Sequence, residues 1–500
     1  MQARLLLAGV ALAGAALRFY PIWFGLPYVQ ARPDETTSLG TAVSILSGDP
    51  NPHFFHWPSL TFYLFAGLFT AARAVKRTLD YADYVLVARA AIACAGTLTI
   101  VLLARMARAI ADRRTAIVAA AFLAVTVLHV RESHFAMTDV LMTMWATACL
   151  GLLVEPRAGS ASWMMALAGI AGGLAASTKY SAAPLMFSGL VVPGVRWQDR
   201  AVFVCAFVAA FVGVSPYALL DYGTFRADVS FTGAHLAAGH TGEDLGRGWT
   251  YHLTRSLPYG LGVPIYIAGL AGFPLLVRRH PRAAAPLLAF AVPFFIAVGS
   301  GRTVFFRYIL PLVPVFCLTA ALAVRAAAEW SGSRLRLRPP PALTIITVLL
   351  VASAVVNSVR LDRLLAKTDS RALAAEWLKP RLGSGQTVHD AGGDYTRLDL
   401  GKARFHEWRY DAETRTFGAG DATPDWIVLY DSPLRAYTPT ADSLRQLVRE
   451  RYALAYEVRA TTDATHAVYD RHDAFFLPMA GFRGIERPGP NVQIYIRRAP

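Results

Sequence analysis

Two adjacent carboxylates near the first apolar segment are the residues of this sequence best suited to chemistry. Asp34 and Glu35 follow the apolar run 5–17 in the sequence Arg-Pro-Asp-Glu. Carboxylates at a membrane surface are costly unless they are used, and a partly desolvated carboxylate can act as a general base toward a hydroxyl group. The alternative is helix capping, with Asp34 at the N-cap and Glu35 in the first turn. Both interpretations can hold together.

Further charged candidates lie later in the chain. Asp139 opens an apolar segment after Met-Thr, where a helix cap is again the alternative. Lys179 follows an Ala-rich segment, and a lysine at membrane depth needs a partner or water unless it reaches the interface. Arg307 opens a late apolar segment near Arg302. Arginine is suited to bidentate phosphate contact, and pairing with lipid headgroups is the alternative.

A histidine-rich and aromatic segment follows the first carboxylates. His53 and His56 lie between two prolines, and imidazoles facing a lipid headgroup can donate to phosphate. An interfacial aromatic belt is the alternative that the residue types alone favour. The histidines of the chain match no compact metal-ligand spacing, so no tightly bound metal is predicted. A loosely held divalent ion that bridges carboxylates and phosphate stays open.

The composition indicates a polytopic membrane protein. Of 500 residues, 55% are hydrophobic and only 17% are charged. The net charge of +15 arises mostly from arginines in short loops between apolar segments, which encodes membrane topology and does not indicate nucleic-acid binding. The four cysteines lie within apolar segments, so neither a disulfide framework nor a cysteine metal site is predicted.

Apolar segments long enough for helices predict about eleven membrane spans. They are 4–20, 84–104, 115–130, 138–154, 162–178, 180–194, 201–219, 258–277, 283–299, 308–324 and 341–357. Basic clusters between alternate pairs place the N-terminus in the cytoplasm, with the first helix uncleaved. Leu60–Val75 ends in basic residues, and as a span it would reverse every later loop. We therefore expect a re-entrant or juxtamembrane helix there; a spanning helix is the alternative.

The composition changes after Leu361, where apolar runs become short. Strands are predicted near 387–390, 426–430, 453–458 and 492–496, with helices at 370–378 and 441–451. The predicted organisation is a transmembrane domain, 1–358, with a first outer loop at about 21–83, and an extracytoplasmic α/β domain, 359–500. Neither domain contains a glycine-rich nucleotide loop or a nucleophile elbow.

Several short motifs, in this order, resemble the GT-C membrane glycosyltransferases of the protein O-mannosyltransferase class (glycosyltransferase family 39). The aminoarabinose transferase that modifies lipid A belongs to the same broad family. The motifs are Arg32-Pro-Asp-Glu35, His56-Trp-Pro-Ser-Leu60, Met137-Thr-Asp139, Thr178-Lys-Tyr180, Ser215-Pro-Tyr217 to Asp221, Arg307-Tyr-Ile-Leu-Pro311 and Phe475-Phe-Leu-Pro478 to Pro490. Trp57-Pro58-Ser59 departs from the Pro-Pro pair of many members, which leaves the role of His56 open.

The resemblance implies inverting transfer of a sugar from a polyprenyl-phosphate donor to an acceptor hydroxyl at the outer face of the cytoplasmic membrane. It implies Asp34 as the base, Glu35 orienting the base or the sugar, and Asp139 positioning the acceptor, Asp34 or a divalent ion. The implied phosphate ligands are Lys179, Arg307, Arg302 and His56, and the implied substrate contacts are His53, Tyr180, Tyr308 and Asp221. No nucleotide and no obligatory cofactor are implied.

Other functions stay open at this point. A transporter of lipid-linked sugars would show inverted repeats and charges near the bilayer midplane, and neither is visible. A ligase or polymerase of lipid-linked glycans is compatible with the long outer loop 222–257. A non-catalytic assembly protein would not need the acidic and basic set. The expected location is the bacterial cytoplasmic (inner) membrane, and the acceptor is a protein, a lipid or a glycan.

Overall fold

The chain folds into two compact units. The computed structural model describes residues 2–155, 161–240, 242–335, 339–401, 405–417 and 422–499. The first unit comprises Met1–Ile22, Thr37–His240 and Asp244–Val359, and the second comprises Trp23–Thr36, Thr241–Glu243 and Arg360–Pro500. The second unit thus takes in a piece of the first predicted outer loop. The predicted domain limits, 1–358 and 359–500, place that piece of the loop in the first domain, and they stay a prediction.

The first unit is helical throughout its described residues. Its longer α-helices are Gln2–Phe19, Leu60–Val75, Tyr81–Ile110, Arg113–Val125, Thr138–Leu153, Ala161–Thr178, Trp197–Val214, Tyr222–Ala238, Val263–Arg279, Pro281–Ser300, Val313–Leu335 and Pro339–Leu365. Shorter helices are Val127–Glu132, Leu185–Leu190, Tyr217–Leu220, Gly248–Tyr251 and Leu257–Leu261, with a π-helix at His252–Ser256 and 3₁₀ turns at Tyr180–Ala182 and Phe306–Leu312. The helix Pro33–Leu46 begins in the second unit and ends in the first.

Several apolar helices are long enough to cross a membrane. Among the described residues there are five such segments, or six if the pair Gly248–Leu261 and Val263–Arg279, bent by 116°, forms one span. The predicted number of eleven is therefore not confirmed. The segment predicted to span at 180–194 holds only a 3₁₀ turn and a six-residue helix, Leu185–Leu190, which follows Pro184. At 1.5 Å per residue, a helix of this length covers only about a third of the bilayer core.

Small residues bring the helices of this unit close together. Gly169 and Gly173 of the helix Ala161–Thr178 lie against the backbone of Trp197–Val214, where a side chain would collide with the carbonyl oxygens of Phe203 and Phe207. Such small-residue contacts are typical of helix pairs in membranes, because dispersion between close backbones replaces the missing hydrophobic effect. This pairing fixes the position of the helix Ala161–Thr178, and Lys179 is the residue that follows its C-terminal end.

The second unit contains a five-stranded sheet. Its strands are β1 (Thr387–Asp390), β2 (His406–Glu407), β3 (Trp426–Asp431), β4 (Tyr452–Val458) and β5 (Asn491–Arg497), in the spatial order β2-β1-β3-β5-β4. Strand β1 is parallel to both of its neighbours, and β5 is antiparallel to β3 and β4. The predicted C-terminal α/β fold is confirmed. Strand β2 was not predicted, because two residues carry no readable periodicity.

Apolar residues alternate along β3 and cover both faces of this sheet. Val428 and Tyr430 pack on one face in the cluster that includes the helix Ser370–Leu378, and Ile427 and Leu429 pack on the other with the helix Asp442–Arg451. A strand buried on both faces reads as a continuous apolar run, as Trp-Ile-Val-Leu-Tyr does here. The helices on both faces therefore leave the strand ends and their loops exposed.

Candidate active site

Asp139 is the buried centre of a charged cluster in the first unit. It lies in the first turn of the helix Thr138–Leu153, and its side chain is fully buried. The N-cap of this helix is Met137, and no side chain accepts a capping hydrogen bond there. Asp139 therefore does not cap the helix, so its carboxylate can bind groups from other helices.

Lys179 supplies the first of these groups. Its Nζ atom donates to Oδ1 of Asp139 at 2.6 Å, and its side chain is 22% exposed. The same Nζ lies 4.7 Å from the centre of the Tyr308 ring, so a cation–π contact holds it from a second direction. Lys179 thus has an acidic partner, and its side chain does not extend freely to the interface.

Arg307 is the second cation of the cluster. It lies in the 3₁₀ turn Phe306–Leu312, and its side chain is only 8% exposed. Its Nε atom is 4.0 Å from Oδ2 of Asp139, and its guanidinium carbon is 4.0 Å from the centre of the Phe305 ring. A buried guanidinium stacked on an aromatic ring has few accessible rotamers. The structure therefore presents Arg307 in a fixed direction rather than as a mobile contact for headgroups.

These three residues carry a formal charge of +1. Asp139 Oδ2 has no hydrogen-bond partner within the part of the chain that the structure describes, although Arg307 lies close by. In a site shielded from water, fixed charges interact more strongly than at a protein surface. Two cations held in fixed positions beside this carboxylate form a place where a negatively charged group of a substrate can be stabilised. We call Asp139, Lys179 and Arg307 the cation cluster.

The histidine-rich segment forms a separate group in the first unit. His56 Nδ1 lies 3.1 Å from the hydroxyl of Thr232, and its Nε2 lies 3.9 Å from a carboxylate oxygen of Asp228. Asp228 also accepts a hydrogen bond from the backbone N–H of Phe55 at 2.7 Å. Tyr180 donates to the backbone carbonyl of Phe55 at 3.1 Å. Tyr180, next to Lys179 in the chain, therefore links this group to the cation cluster.

His53 belongs to a more exposed contact. Its Nε2 atom lies 2.9 Å from a carboxylate oxygen of Asp49, and its Nδ1 atom lies 3.6 Å from Asp221. Asn51 donates to the same Asp221 carboxylate at 3.0 Å. The His53 side chain is 61% exposed. Such an exposed contact contributes little to stability, and the exposed imidazole of His53 is accessible to a ligand.

Arg302 is paired at a different place. Its guanidinium donates to the Asp244 carboxylate at 3.0 Å, and both side chains are at least half exposed. Among the described contacts, Arg302 interacts with Asp244 and not with Asp139. Arg302 and Arg307 are close in the sequence, but in the described contacts Arg302 pairs with Asp244, whereas Arg307 lies near Asp139.

Asp34 and Glu35 lie in the second unit. They occupy the first turn of the helix Pro33–Leu46, where negative charge interacts favourably with the helix dipole. Asp34 follows Pro33 inside the helix, and Glu35 is buried while Asp34 is partly buried. Burial raises the pKa of Tyr395, and the neighbouring charge of Asp34 raises it further.

Arg32 anchors this motif within the second unit. Its guanidinium forms a buried ion pair with Asp473, and the two side chains are 1% and 3% exposed. Its guanidinium carbon also lies 5.8 Å from the centre of the Phe475 ring. The Arg32-Pro33-Asp34-Glu35 motif is therefore held by the segment that begins at Asp473, more than four hundred residues later in the chain.

Sequence reasoning missed two acidic residues that organise these groups. Asp228 binds Phe55 and lies near His56, and Asp473 pairs with Arg32. Asp228 and Thr232 are four residues apart on one helix face, which is a weak signal for a shared partner. Nothing local marks Asp473. In the described residues, no group of three or more His, Cys, Asp or Glu side chains is placed to hold a metal ion.

A family model matches part of the chain. Residues 83–219 match the family described as dolichyl-phosphate-mannose-protein mannosyltransferase. This stretch includes Asp139 and Lys179, whereas Asp34 and Arg307 lie outside it. No curated protein matches the sequence.

Solved structures share the fold over most of the chain. ArnT from Cupriavidus metallidurans, bound to undecaprenyl phosphate, is 16% identical with a TM-score of 0.55 over 98% of this chain and 97% of its own. The archaeal oligosaccharyltransferase AglB from Archaeoglobus fulgidus, with an inhibitory peptide and a dolichol-phosphate, is 13% identical with a TM-score of 0.54 over 92% and 73%. The Archaeoglobus enzyme with Zn and sulfate is 14% identical with a TM-score of 0.53 over 98% and 88%.

The resemblance seen in the sequence motifs is thereby confirmed. The chain has several membrane-length apolar helices, shares its fold with these structures over most of its length, and matches the mannosyltransferase family model over residues 83–219. Identities of this size establish the fold alone, so the reaction and its residues are argued from the site.

Proposed function

We propose that this protein transfers a sugar from a polyprenyl-phosphate donor to an acceptor hydroxyl, with inversion at the anomeric carbon. The observation that carries the proposal is the cation cluster, in which Lys179 and Arg307 flank the buried carboxylate of Asp139. A leaving polyprenyl phosphate gains negative charge as its bond to the sugar breaks. Cations that are already fixed at that position stabilise the transition state without reorganising.

The proposed step balances as a direct displacement. The acceptor oxygen attacks the anomeric carbon, the bond between that carbon and the phosphate oxygen breaks, and its electron pair stays on the phosphate. The proton of the acceptor hydroxyl passes to a carboxylate, for which Asp34 is the proposed base. The products are the glycosylated acceptor and a polyprenyl phosphate with one more unit of negative charge.

The proposed role of Asp139 changes once its partners are known. The resemblance implied that it positions the acceptor, Asp34 or a divalent ion. Its contacts with Lys179 and Arg307 favour a role as the group that aligns the two phosphate ligands. Such a positioning residue acts by fixing the orientation of the residues that bind the substrate, as the outer-shell partners of metal ligands do.

The other candidate residues fall into two sets. Glu35 is proposed to orient Asp34 or the sugar. Tyr308 lies beside Lys179 and Tyr180 is its neighbour in the chain, so both are proposed to line the substrate site. The remaining candidates, with contacts elsewhere in the described structure, are proposed as outer contacts of donor or acceptor: His53, His56, Asp221 and Arg302.

The comparisons support a lipid-linked donor. ArnT is described with undecaprenyl phosphate, and AglB with a dolichol-phosphate. The apolar helices keep the chain in a membrane, where the lipid tail of such a donor would lie. We propose the outer face of the bacterial cytoplasmic membrane as the site of transfer, with the N-terminus in the cytoplasm and the C-terminal domain outside. No cofactor is proposed as obligatory, and a divalent ion stays open.

Transfer of labelled sugar tests the proposal. Proteoliposomes would receive radiolabelled polyprenyl-phosphate hexoses and pentoses together with extracted envelope acceptors. We expect label in a protein, lipid or glycan fraction with the wild type, and loss of transfer with Lys179→Met. The matched control is Lys76→Met, because Lys76 also pairs with an aspartate, Asp83, but is 59% exposed and lies outside the cluster.

Two results would contradict the proposal. Equal transfer by Lys179→Met and the wild type would remove the cation cluster from the phosphate site. Transfer from lipid-linked oligosaccharides alone, without any from single-sugar donors, would instead assign the protein to ligation of lipid-linked glycans. Label that appears only as free sugar would indicate simple hydrolysis, because hydrolysis leaves no labelled acceptor.

A further inference from the structure

The order of the strands in the sheet of the second unit reverses at β1, and the carboxyl end of this strand is the place where a ligand can bind. Strand β1 lies between β2 and β3, both parallel to it, so the chain leaves β1 toward one side and returns to the other. In open α/β sheets, ligands bind outside the carboxyl ends of strands where the order reverses in this way. Asp390 is the last residue of β1 and stands at that point.

A cavity of about 640 Å³ lies at this edge. Small-molecule sites typically enclose roughly 300–1,000 Å³, so its size suits a sugar unit or a short saccharide. The described residues of its lining belong to the second unit, and they combine carboxylates, an arginine and an apolar wall. The cavity does not include any residue assigned above to the proposed transfer reaction.

Asp390 is held in a fixed orientation at the wall of the cavity. One carboxylate oxygen accepts from the backbone N–H of Gly392 at 2.8 Å. The other accepts from the backbone N–H of Leu398 and from the Tyr430 hydroxyl, each at 3.0 Å. Burial nevertheless raises the pKa of this carboxyl to about 6. Perturbed carboxyls in clefts are candidates for functional groups.

The remaining polar groups of the lining are accessible. Arg397 forms an ion pair with Glu407, and the two side chains are 39% and 38% exposed. Asp394 and Asp399 line the same cavity and are exposed. Carboxylates accept hydrogen bonds only, whereas a guanidinium donates several. The lining therefore offers acceptors and donors side by side, which is what a ligand with several hydroxyl groups requires.

An apolar wall completes the cavity. Phe405, Leu398 and Leu400 line it, together with Tyr28, whose hydroxyl donates to the backbone carbonyl of Arg397 at 3.0 Å. A sugar ring presents an apolar face of C–H groups beside its hydroxyls. An aromatic and aliphatic wall next to carboxylates and an arginine matches both kinds of surface. A purely lipidic ligand would displace water from the exposed carboxylates without replacing its hydrogen bonds, and is disfavoured.

We propose that this cavity is a saccharide-binding site of the second unit, selective for a neutral sugar whose hydroxyls bind Asp394, Asp399 and Arg397. A metal ion is disfavoured, because no three carboxylates among the described residues lie close enough together to bind one. A cationic amine is the remaining competitor, because carboxylates outnumber arginine among the lining residues that the structure describes. The site is independent of the cation cluster, so its occupancy does not require transfer activity.

Saturation-transfer NMR on the full-length chain in lipid nanodiscs tests this site. The probes are methyl α-mannopyranoside and methyl β-glucopyranoside as neutral sugars, and glucosamine as the cationic competitor. The variant is Asp394→Ala, since this exposed loop residue can change without disturbing the core. The matched control is Asp431→Ala, an exposed carboxylate at the end of β3 that does not line the cavity.

We expect saturation transfer to at least one neutral glycoside, with affinity about ten-fold weaker in Asp394→Ala, as the loss of one charge-assisted hydrogen bond predicts. Asp431→Ala should bind like the wild type, and so should Lys179→Met, which separates this site from the proposed transfer site. The proposal is overturned if neither glycoside receives saturation, if binding is the same in Asp394→Ala, or if glucosamine alone binds.

Discussion

Replacing Lys179 by methionine tests whether the cation cluster serves catalysis or only stability. The change removes the charge that lies 2.6 Å from Asp139 and leaves Arg307 at 4.0 Å as the remaining cation. At an effective dielectric of about 20, these gross attractions are about 6 and about 4 kcal/mol. The larger one is lost, and a fully buried carboxylate keeps only the weaker partner.

The expected cost to stability follows from that imbalance. Breaking a buried pair by removing one partner typically costs about 3–5 kcal/mol, because the other charge stays buried. Lys179 is partly exposed, so we expect about 3 kcal/mol, at the lower end of that range. Thermal unfolding in nanodiscs would show this as a lower melting temperature for Lys179→Met than for the Lys76→Met control.

A double variant separates the two roles. Lys179→Met combined with Asp139→Asn removes both charges of the pair, so most of the lost stability should return, with a coupling energy of about 2 kcal/mol. If Lys179 binds the leaving phosphate, transfer should stay roughly 100-fold below the wild type, as for other lost contacts to developing charge. Transfer restored in the double variant to the rate of Asp139→Asn alone would refute the catalytic role of Lys179.

Three further predictions concern the second unit. Asp34→Asn should abolish transfer while the melting temperature is kept, measured with the same labelled donors; unchanged transfer would exclude Asp34 as the base. Arg32→Met should lower the free energy of unfolding by about 3 kcal/mol, because it removes the buried guanidinium that pairs with Asp473, and adding Asp473→Leu should restore part of the loss. The pKa of Asp390, raised to about 6, implies a stabilisation that is complete below about pH 4 and is lost as the pH rises through 6, so Asp390→Asn should flatten the pH dependence of unfolding; an unchanged slope would contradict it.

The sequence predicted those features that depend on local pattern. The apolar segments indicated a helical membrane protein, and the alternating apolar runs after residue 361 indicated the strands that form β1, β3, β4 and β5. Lys179 in an Ala-rich context required an acidic or anionic partner, and its partner in the structure is Asp139. These inferences succeed because hydrophobic period and the cost of an isolated buried charge are properties of short stretches.

Features that depend on distant parts of the chain could not be predicted in the same way. The span expected at 180–194 is interrupted at Ala183 and Pro184, and its helix ends at Leu190, although its apolar content is high. Asp473 carries no local mark and Asp228 only a weak one, because their partners lie more than a hundred residues away. Hydropathy reports how apolar a segment is, but it does not report which backbone breaks are compensated by neighbouring helices.

The ion pair of Arg32 gives the C-terminal part of the chain a role in placing the proposed base. Asp34 lies two residues after Arg32, in a turn of helix that belongs to the second unit. Arg32 is held by Asp473 and Phe475, so the backbone that carries Asp34 is fixed by residues near the end of the chain. A change at Asp473 should therefore lower transfer without touching substrate. Because a general base must be held within hydrogen-bond reach of the hydroxyl it deprotonates, that loss should appear in the turnover rate more than in donor affinity.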